Sequence, residues 1–198
     1  ARLAAQAWQR LSVKDRLKVL APLNALLVNQ ADNICTQLME VSGKAATDAL
    51  LAELIPILDL NRYYQNHAQA ILQSRPVACS PFTYPYATAK ISRQPFGVVA
   101  IITPWNYPLQ LTLCPLLTAL ICGNSVLFKV SELSLPIAEL IMTICEALQL
   151  PDGLVQAVIG DAQTGQALIG AGPDLVFFTG SLSSGRAVMQ QAAQHPIP

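Results

Sequence analysis

The fold is decided by residues 98–108, which read VVAIITPWNYP. Four of the first five residues are Val or Ile, and the loop that follows contains Pro104 and Pro108. A short, continuous apolar run of this kind is typical of a parallel strand that is buried on both faces of a sheet. Residues 109–122 then have the length and the apolar character of a buried helix. The segment predicts a strand, a rigid loop and a helix, in that order.

The same order recurs three more times towards the C-terminus. The predicted strands are residues 98–102, 125–129, 155–159 and 175–179, and the predicted helices are residues 109–122, 135–148, 163–169 and 184–194. Strands that alternate with helices form right-handed crossovers, so the predicted fold class is α/β with a doubly wound parallel sheet. Because ligands bind beyond the carboxyl ends of such strands, we expect the functional residues directly after each strand.

Residues 1–75 predict a layer of helices. Ser12 is the predicted N-cap of a helix that begins at Val13, and apolar residues recur from there at helical spacing. A further helix is predicted over residues 46–72, with a kink at Pro56. We expect these helices to serve packing rather than chemistry.

Residues 76–95 differ from both neighbours because Pro76, Pro81, Pro85 and Pro95 lie among β-forming residues. This pattern predicts a linker followed by an extended arm over residues 87–93. An arm of this kind often pairs with another subunit or domain. The chain is thus expected to divide into helices at 1–75, a linker and arm at 76–95, and an α/β portion at 96–198.

The composition limits the classes of function. The chain of 198 residues is 53% hydrophobic and 12% charged, with a mean hydropathy of +0.41. This indicates either a membrane protein or a soluble fragment whose apolar surface lacks the partner surface that would cover it. The longest apolar run, residues 109–122, is shorter than the roughly 20 residues that a membrane span needs. Net charge is zero and there is no basic patch, which argues against nucleic acid as a partner.

The chain has five cysteines, none in a CxxC pair and none near a histidine in the sequence. We therefore predict neither a disulfide framework nor a metal site. Small buried thiols of this kind are typical of a reducing compartment, so the expected location is cytoplasmic.

Asn106 follows the first predicted strand and stands between two prolines. A side-chain amide on so stiff a loop is suited to donate a hydrogen bond to an oxyanion, because it needs no reorganisation. The alternative is an amide that caps its own turn.

Lys129 and Glu132 follow the second predicted strand. A carboxylate can accept hydrogen bonds from both hydroxyls of a ribose, and a lysine can donate to them. The alternative is a solvated ion pair.

Glycines follow the last two predicted strands. Gly160 would let the backbone approach a ligand closely. Residues 180–185 read GSLSSG and precede a helix, so their N–H groups and the helix dipole predict a phosphate site. This second pattern is weak by itself, because many turns between a strand and a helix resemble it.

Together these motifs resemble the aldehyde dehydrogenase superfamily over nearly the whole chain. Residues 103–108 resemble its Pro-Trp-Asn loop, residues 126–132 its strand ending in Lys-Pro-Ser-Glu, residues 178–181 its Phe-Thr-Gly-Ser turn, and residues 40–44 its Glu-x-Gly-Lys helix end. The fold implied is an incomplete one, with a Rossmann-like sheet. Val130 departs from the usual proline, and Ser184 from the usual aliphatic residue.

The resemblance implies roles for particular residues. Asn106 would donate to the oxyanion and is the one catalytic residue implied. The cofactor-binding residues implied are Ile102, Pro104, Trp105, Lys129, Ser131, Glu132, Gly160, Gly180, Ser181 and Ser184. Of these, Lys129 and Glu132 would hold the adenosine ribose, and Ser181 the pyrophosphate.

The resemblance also implies an activity: oxidation of an aldehyde to a carboxylic acid, with NAD, or alternatively NADP, as the hydride acceptor. The family's catalytic glutamate and cysteine motifs lie beyond residue 198, so none of the five cysteines is assigned as the nucleophile. The 198 residues alone are expected to be inactive, and the full-length enzyme is expected to be a homo-oligomer. The alternatives are a short homologue that binds a nucleotide or a partner without catalysis, and a structural remnant without a ligand.

Overall fold

The computed structural model describes residues 1–80 and 82–198. Its first part is helical, as the sequence predicts. The helices are α1 (Arg2–Trp8), α2 (Val13–Leu20), α3 (Leu23–Asn29), α4 (Ala31–Ser42), α5 (Ala46–Ala49) and α6 (Ile55–Leu72). Ser12 caps α2 by accepting a hydrogen bond from the backbone N–H of Asp15, which confirms the predicted start of this helix.

The predicted helix over residues 46–72 is interrupted before Pro56 rather than kinked at it. A π turn, Leu50–Leu54, separates α5 from α6, and Pro56 lies in the first turn of α6. Proline has no N–H to donate and its ring crowds the preceding turn. The chain therefore changes its hydrogen-bond spacing just before Pro56, in a turn type that is frequent at functional sites.

The predicted arm is one strand of a hairpin. β1 (Arg75–Val77) pairs antiparallel with β2 (Ala89–Ile91), and all six residues are exposed. The sequence did not predict β1, because Pro76 in its centre argues against a strand. An isolated two-stranded ribbon tolerates that proline, since one side of each strand has no pairing to lose. Pro81, which was part of the predicted linker, lies outside the described residues.

The parallel sheet is confirmed. Its strands are β3 (Val98–Ile102), β4 (Ser125–Lys129), β5 (Val155–Ala157) and β6 (Leu175–Phe178), in the order β5-β4-β3-β6. The first two have the predicted bounds. β5 ends two residues earlier than predicted, because its pairing with β4 stops at Phe128 and Ala157. β6 ends one residue early, at Phe178 opposite Ile102.

The helices of the sheet are α7 (Pro108–Ile121), α8 (Leu135–Ala147), α9 (Ala162–Gly170) and α10 (Leu182–Ala192). The chain steps outward from β3 to β5 and then returns through α9 to place β6 on the other side of β3. With right-handed crossovers, this reversal puts the later helices on the opposite face of the sheet. The carboxyl ends of β3 and β6 are therefore the switch point, where a doubly wound sheet binds its ligand.

One hydrophobic core joins the N-terminal helices to the sheet. Trp8 donates from its indole N–H to the carbonyl of Leu120 over 2.8 Å, and the buried Arg16 donates to the carbonyl of Ile121 over 2.9 Å. Both acceptors are carbonyls at the end of α7, which have no partner within the helix. Within the part of the chain that the structure describes, no helix combines the length and the apolar character that a membrane crossing requires.

Candidate functional site

A cleft of about 400 Å³ opens at the switch point, between the ends of β3, β4 and β6. Most of the residues that the sequence assigned to a cofactor line this cleft. They are Ile102, Pro104, Trp105, Lys129, Ser131, Glu132, Gly180, Ser181 and Ser184. The fold thus brings together side chains that are up to 82 residues apart, counted from Ile102 to Ser184.

Lys129 reaches the cleft from the end of β4, and only 6% of its side chain is exposed. Its ammonium donates to the carbonyl of Val130 over 3.2 Å and lies 4.0 Å from the carboxylate of Glu132, which is 61% exposed. A solvated ion pair would have both partners in water, so the buried lysine does not fit that alternative. Since an ammonium has three donors, Lys129 retains donors for the oxygen atoms of a ligand.

Ser131 supports the turn that carries Glu132. Its hydroxyl accepts a hydrogen bond from the backbone N–H of Leu133 over 3.3 Å and so caps the short 3-10 turn Glu132–Ser134. This cap holds the backbone turn that carries Glu132.

The Gly-Ser turn after β6 forms another wall of the cleft. Ser181 is the N-cap of α10, and its hydroxyl accepts from the backbone N–H of Ser184 over 3.1 Å. A Cβ on Gly180 would lie 2.5 Å from Cζ of Phe178, so any larger residue would force this ring to move. The turn therefore brings backbone and the positive end of the α10 dipole to the cleft, as the binding of a phosphate requires.

Asn106 lies beyond β3 on an exposed loop, next to but not within this cleft. Tyr107 is the N-cap of α7 and provides no side-chain cap. The first backbone N–H groups of α7, those of Leu109 and Gln110, donate instead to the carboxylate of Glu53. Because Glu53 caps the helix, the Asn106 amide is not needed for that purpose.

Comparison with known proteins decides the family. Residues 1–198 match the aldehyde dehydrogenase family. The chain belongs to this family. The resemblance that the motifs indicated is thereby confirmed, as is the α/β fold.

Two relatives and one solved structure show how far the likeness extends. The chain is 56% identical to a 4,4'-diapolycopene aldehyde oxidase from Methylomonas sp over 197 residues, which cover 100% of the chain and 37% of that relative. It is 35% identical to a 4,4'-diapolycopene-4,4'-dial dehydrogenase from Cytobacillus firmus, over 94% of the chain and 41% of the relative.

A betaine aldehyde dehydrogenase point mutant from Staphylococcus aureus, solved in complex with NAD⁺, superimposes with a TM-score of 0.91 at 26% identity. The match covers 100% of this chain and 40% of that one. The chain thus spans about two fifths of the length of the aldehyde dehydrogenases that it matches.

Gly160, which the sequence assigned to the cofactor, is not among the described residues that line the cleft. It has φ +151°, and a Cβ would lie 2.0 Å from Oγ1 of Thr164. The glycine thus serves the turn into α9, where Asp161 is the N-cap. Hydrogen bonding, first of all from the backbone N–H of Thr164, holds the pKa of Asp161 below its usual value.

Several residues of the cleft were missed by the sequence reasoning. They are Thr103, Phe178 and Thr179 at the strand ends, Ala162, Gly165, Gln166 and Ile169 on α9, and Ala187 and Val188 on α10. The α9 residues recur every three or four positions, so they share one helix face. That spacing is the signal that could have identified them.

A second concavity, of about 910 Å³, lies between α2, α7 and β6. Its lining includes Leu111, Cys114 and Pro115 of α7 and the exposed Phe177 of β6. We call this concavity the apolar groove. Gln110 and Leu111, which line it, lie one helical turn beyond Asn106.

Four of the five cysteines do not have the properties of a catalytic nucleophile. Burial raises the pKa of Cys145 to about 12 and that of Cys114 to about 11. Burial is also the main cause that raises the pKa of Cys35 and of Cys122. Such thiols carry little thiolate near neutral pH and react slowly. The described residues also contain no group of His, Cys, Asp and Glu that could hold a metal ion.

Proposed function

We propose that the chain is the cofactor-binding part of an NAD-dependent aldehyde dehydrogenase that oxidises an aldehyde to a carboxylic acid. The cleft at the switch point is the observation that supports this most strongly. It combines a buried lysine with free donors, an exposed carboxylate and a glycine turn at a helix N-terminus. These groups fit a ribose and a pyrophosphate.

In this proposal, the residues at the strand ends have defined tasks. Lys129 and Glu132 hold the adenosine ribose, and the turn at Ser181 holds the pyrophosphate. Asn106 donates its side-chain N–H to the oxygen of the aldehyde as negative charge develops there. When bound, the dinucleotide supplies the hydride acceptor.

We infer NAD rather than NADP. The Glu132 carboxylate stands at the end of β4 with 61% of its side chain exposed. A negative charge at the ribose site repels a 2′-phosphate, whereas it accepts hydrogen bonds from a free 2′-hydroxyl.

Substitution of either ribose-binding residue should weaken NAD binding. In the full-length enzyme, we expect Lys129→Ala and Glu132→Ala each to raise the Kd for NAD by about tenfold or more, because each removes hydrogen bonds to a charged group. Calorimetric titration measures this. Glu139→Ala is the matched control, since it removes an exposed carboxylate from α8. An unchanged Kd in both variants would remove this pair from the cofactor site.

We further propose that the substrate is a long apolar aldehyde. Two relatives, at 56% and 35% identity, carry the names of enzymes for diapolycopene aldehydes. Most of the lining of the apolar groove beside α7 is apolar and suits a hydrocarbon chain, and the polar residues that line it include Arg16 and Arg93. Burial of apolar surface favours binding by about 25 cal/mol per Å².

A comparison of aldehydes tests this assignment. We expect the full-length enzyme to have kcat/KM for a polyene or long-chain aldehyde at least about 100-fold above that for betaine aldehyde, which carries a fixed charge that the groove would have to desolvate. NADH formation measures the rate. Equal or reversed values would exclude an apolar substrate while leaving the cofactor site untouched.

We infer a cytoplasmic location and assembly into a homo-oligomer. The five free thiols support a reducing compartment. The exposed β1–β2 ribbon supports pairing with another subunit, because such a ribbon offers unpaired backbone groups.

A further inference from the structure

A buried ion pair stands directly behind the loop that carries Asn106. Its partners come from the N-terminal part of the chain, Lys44 from the turn after α4 and Glu53 from the π turn before α6, more than 50 residues before Asn106. The side chain of Glu53 is fully buried, and that of Lys44 is 10% exposed. The proposed tasks of the cofactor cleft do not use either residue, so the pair needs its own explanation.

Glu53 holds the start of α7. One carboxylate oxygen, Oε2, accepts from the backbone N–H of Leu109 over 2.8 Å and from that of Gln110 over 3.3 Å. These N–H groups have no partner within the helix, and a negative charge is favourable at this end of the helix dipole. The carboxylate therefore fixes the point at which the Asn106 loop enters α7.

Lys44 holds the loop itself. Its ammonium donates to the other carboxylate oxygen of Glu53 and to the backbone carbonyl of Asn106, the latter over 2.9 Å. It also lies 4.4 Å from the centre of the Tyr107 ring, which is a cation–π distance. The same ammonium thus contacts Asn106, its neighbour Tyr107, and the cap of the following helix.

The local backbone is shaped to bring these two groups together. Gly43 ends α4 with φ +69°, a conformation that places Lys44 on a sharp turn away from the helix. Glu53 lies in the π turn between α5 and α6. A serine or asparagine at the N-cap would cap α7 at a small cost in free energy. A buried ion pair, by contrast, has a large desolvation penalty. Capping alone therefore does not account for the pair.

We propose that Lys44 and Glu53 are positioning residues that hold the Asn106 amide where the oxyanion develops. This rests on the proposed function, in which Asn106 is the oxyanion donor. Such a donor works because it is placed before the reaction, and a displacement of about 1 Å can lower a rate by about 100-fold. The pair supplies that placement from the helical layer, which packs against the sheet through one core.

A double-mutant cycle in the full-length enzyme tests the proposal. The variants are Glu53→Gln, Lys44→Met, Asn106→Ala and the two doubles that contain Asn106→Ala. Glu53→Gln and Lys44→Met are called the clamp variants, because they break the Lys44–Glu53 pair. We expect each of them to lower kcat by about tenfold or more, with the Kd for NAD unchanged, since a mispositioned oxyanion donor affects the transition state alone. Combined with Asn106→Ala, neither should lower kcat further, because residues that act through one group are not additive.

The matched control is the exposed pair Lys18 and Asp15, joined over 3.0 Å. Lys18→Met should leave kcat unchanged and combine additively with Asn106→Ala. If Glu53→Gln does not fold, Lys44→Met decides the question by the same comparison. The proposal is overturned if the clamp variants retain wild-type kcat, or if their losses multiply with that of Asn106→Ala.

The effect of Asn106→Ala alone separates a failure of the proposed function from a failure of the clamp. If Asn106→Ala alone retains wild-type kcat, Asn106 is not the oxyanion donor and the positioning role fails with it. If Asn106→Ala lowers kcat strongly but the clamp variants add an independent loss, the oxyanion assignment stands and only the clamp is refuted.

Discussion

Asn106→Ala should lower the kcat of the full-length enzyme by about 100- to 1000-fold, the loss typical of removing one oxyanion-hole donor. The Kd for NAD should stay close to that of the wild type, because Asn106 lies outside the cleft that holds the proposed cofactor residues. Steady-state NADH formation and calorimetric titration measure the two quantities. The separation of kcat from cofactor affinity is the decisive part of the result.

Asn106→Asp provides the sharper version of this experiment. It keeps the size of the side chain but replaces the N–H donor by a carboxylate, so it should be at least as inactive as Asn106→Ala. Glu139→Ala, at an exposed position on α8 outside both cavities, is the control for a general effect of substitution and should retain most of the activity. An Asp variant with wild-type kcat would show that no N–H donation by residue 106 is needed.

Phe128→Ala should destabilise the 198-residue chain by about 3–5 kcal/mol, the range for removal of a buried aromatic side chain. Phe128 lies in the middle of the sheet on β4, is 0% exposed, and belongs to the core that joins the helices to the sheet. Its loss leaves a cavity that the neighbouring strands cannot close without breaking their pairing. Urea unfolding at equilibrium measures the change in free energy.

Phe177→Ala is the matched control for this second experiment. Phe177 is on β6, in the same sheet, but it is 42% exposed and lines the apolar groove. We expect its replacement to lower the free energy of unfolding by clearly less than Phe128→Ala does, since part of the ring is already in solvent. Similar losses in both variants would mean that the core does not depend on Phe128 in the way the burial indicates.

The strands of the sheet could be predicted because their signal is local. Apolar runs over Val98–Ile102 and Ser125–Lys129 end at prolines or polar residues, and the observed bounds agree with the prediction. The ends of β5 and β6 were predicted less well, because each depends on where a neighbouring strand stops pairing. β1, the strand that pairs with β2, was not predicted for the same reason. It forms by pairing with β2 although it contains Pro76.

For the candidate site, the sequence identified individual residues but did not predict which other side chains and backbone groups lie around them. Lys129, Glu132 and Ser181 were assigned from motifs and do line one cleft. Gly160 was assigned by the same rule but is not among the described residues that line the cleft, and an added Cβ there would meet Thr164, so its assignment to the cofactor stays a prediction. The α9 face was missed because Ala162, Gly165 and Ile169 carry no distinctive chemistry.

The sequence alone indicated the family and determined the alternation of strands and helices and the identity of the polar residues at the strand ends. Each of these follows from contacts within a few residues or from a motif that can be read along the chain. Only the tertiary structure showed that the Asn106 side chain does not cap α7 and that Lys44 and Glu53 hold its loop. These hydrogen bonds join residues 56 to 62 positions apart, and only packing of the whole core sets which distant side chain meets a given backbone N–H.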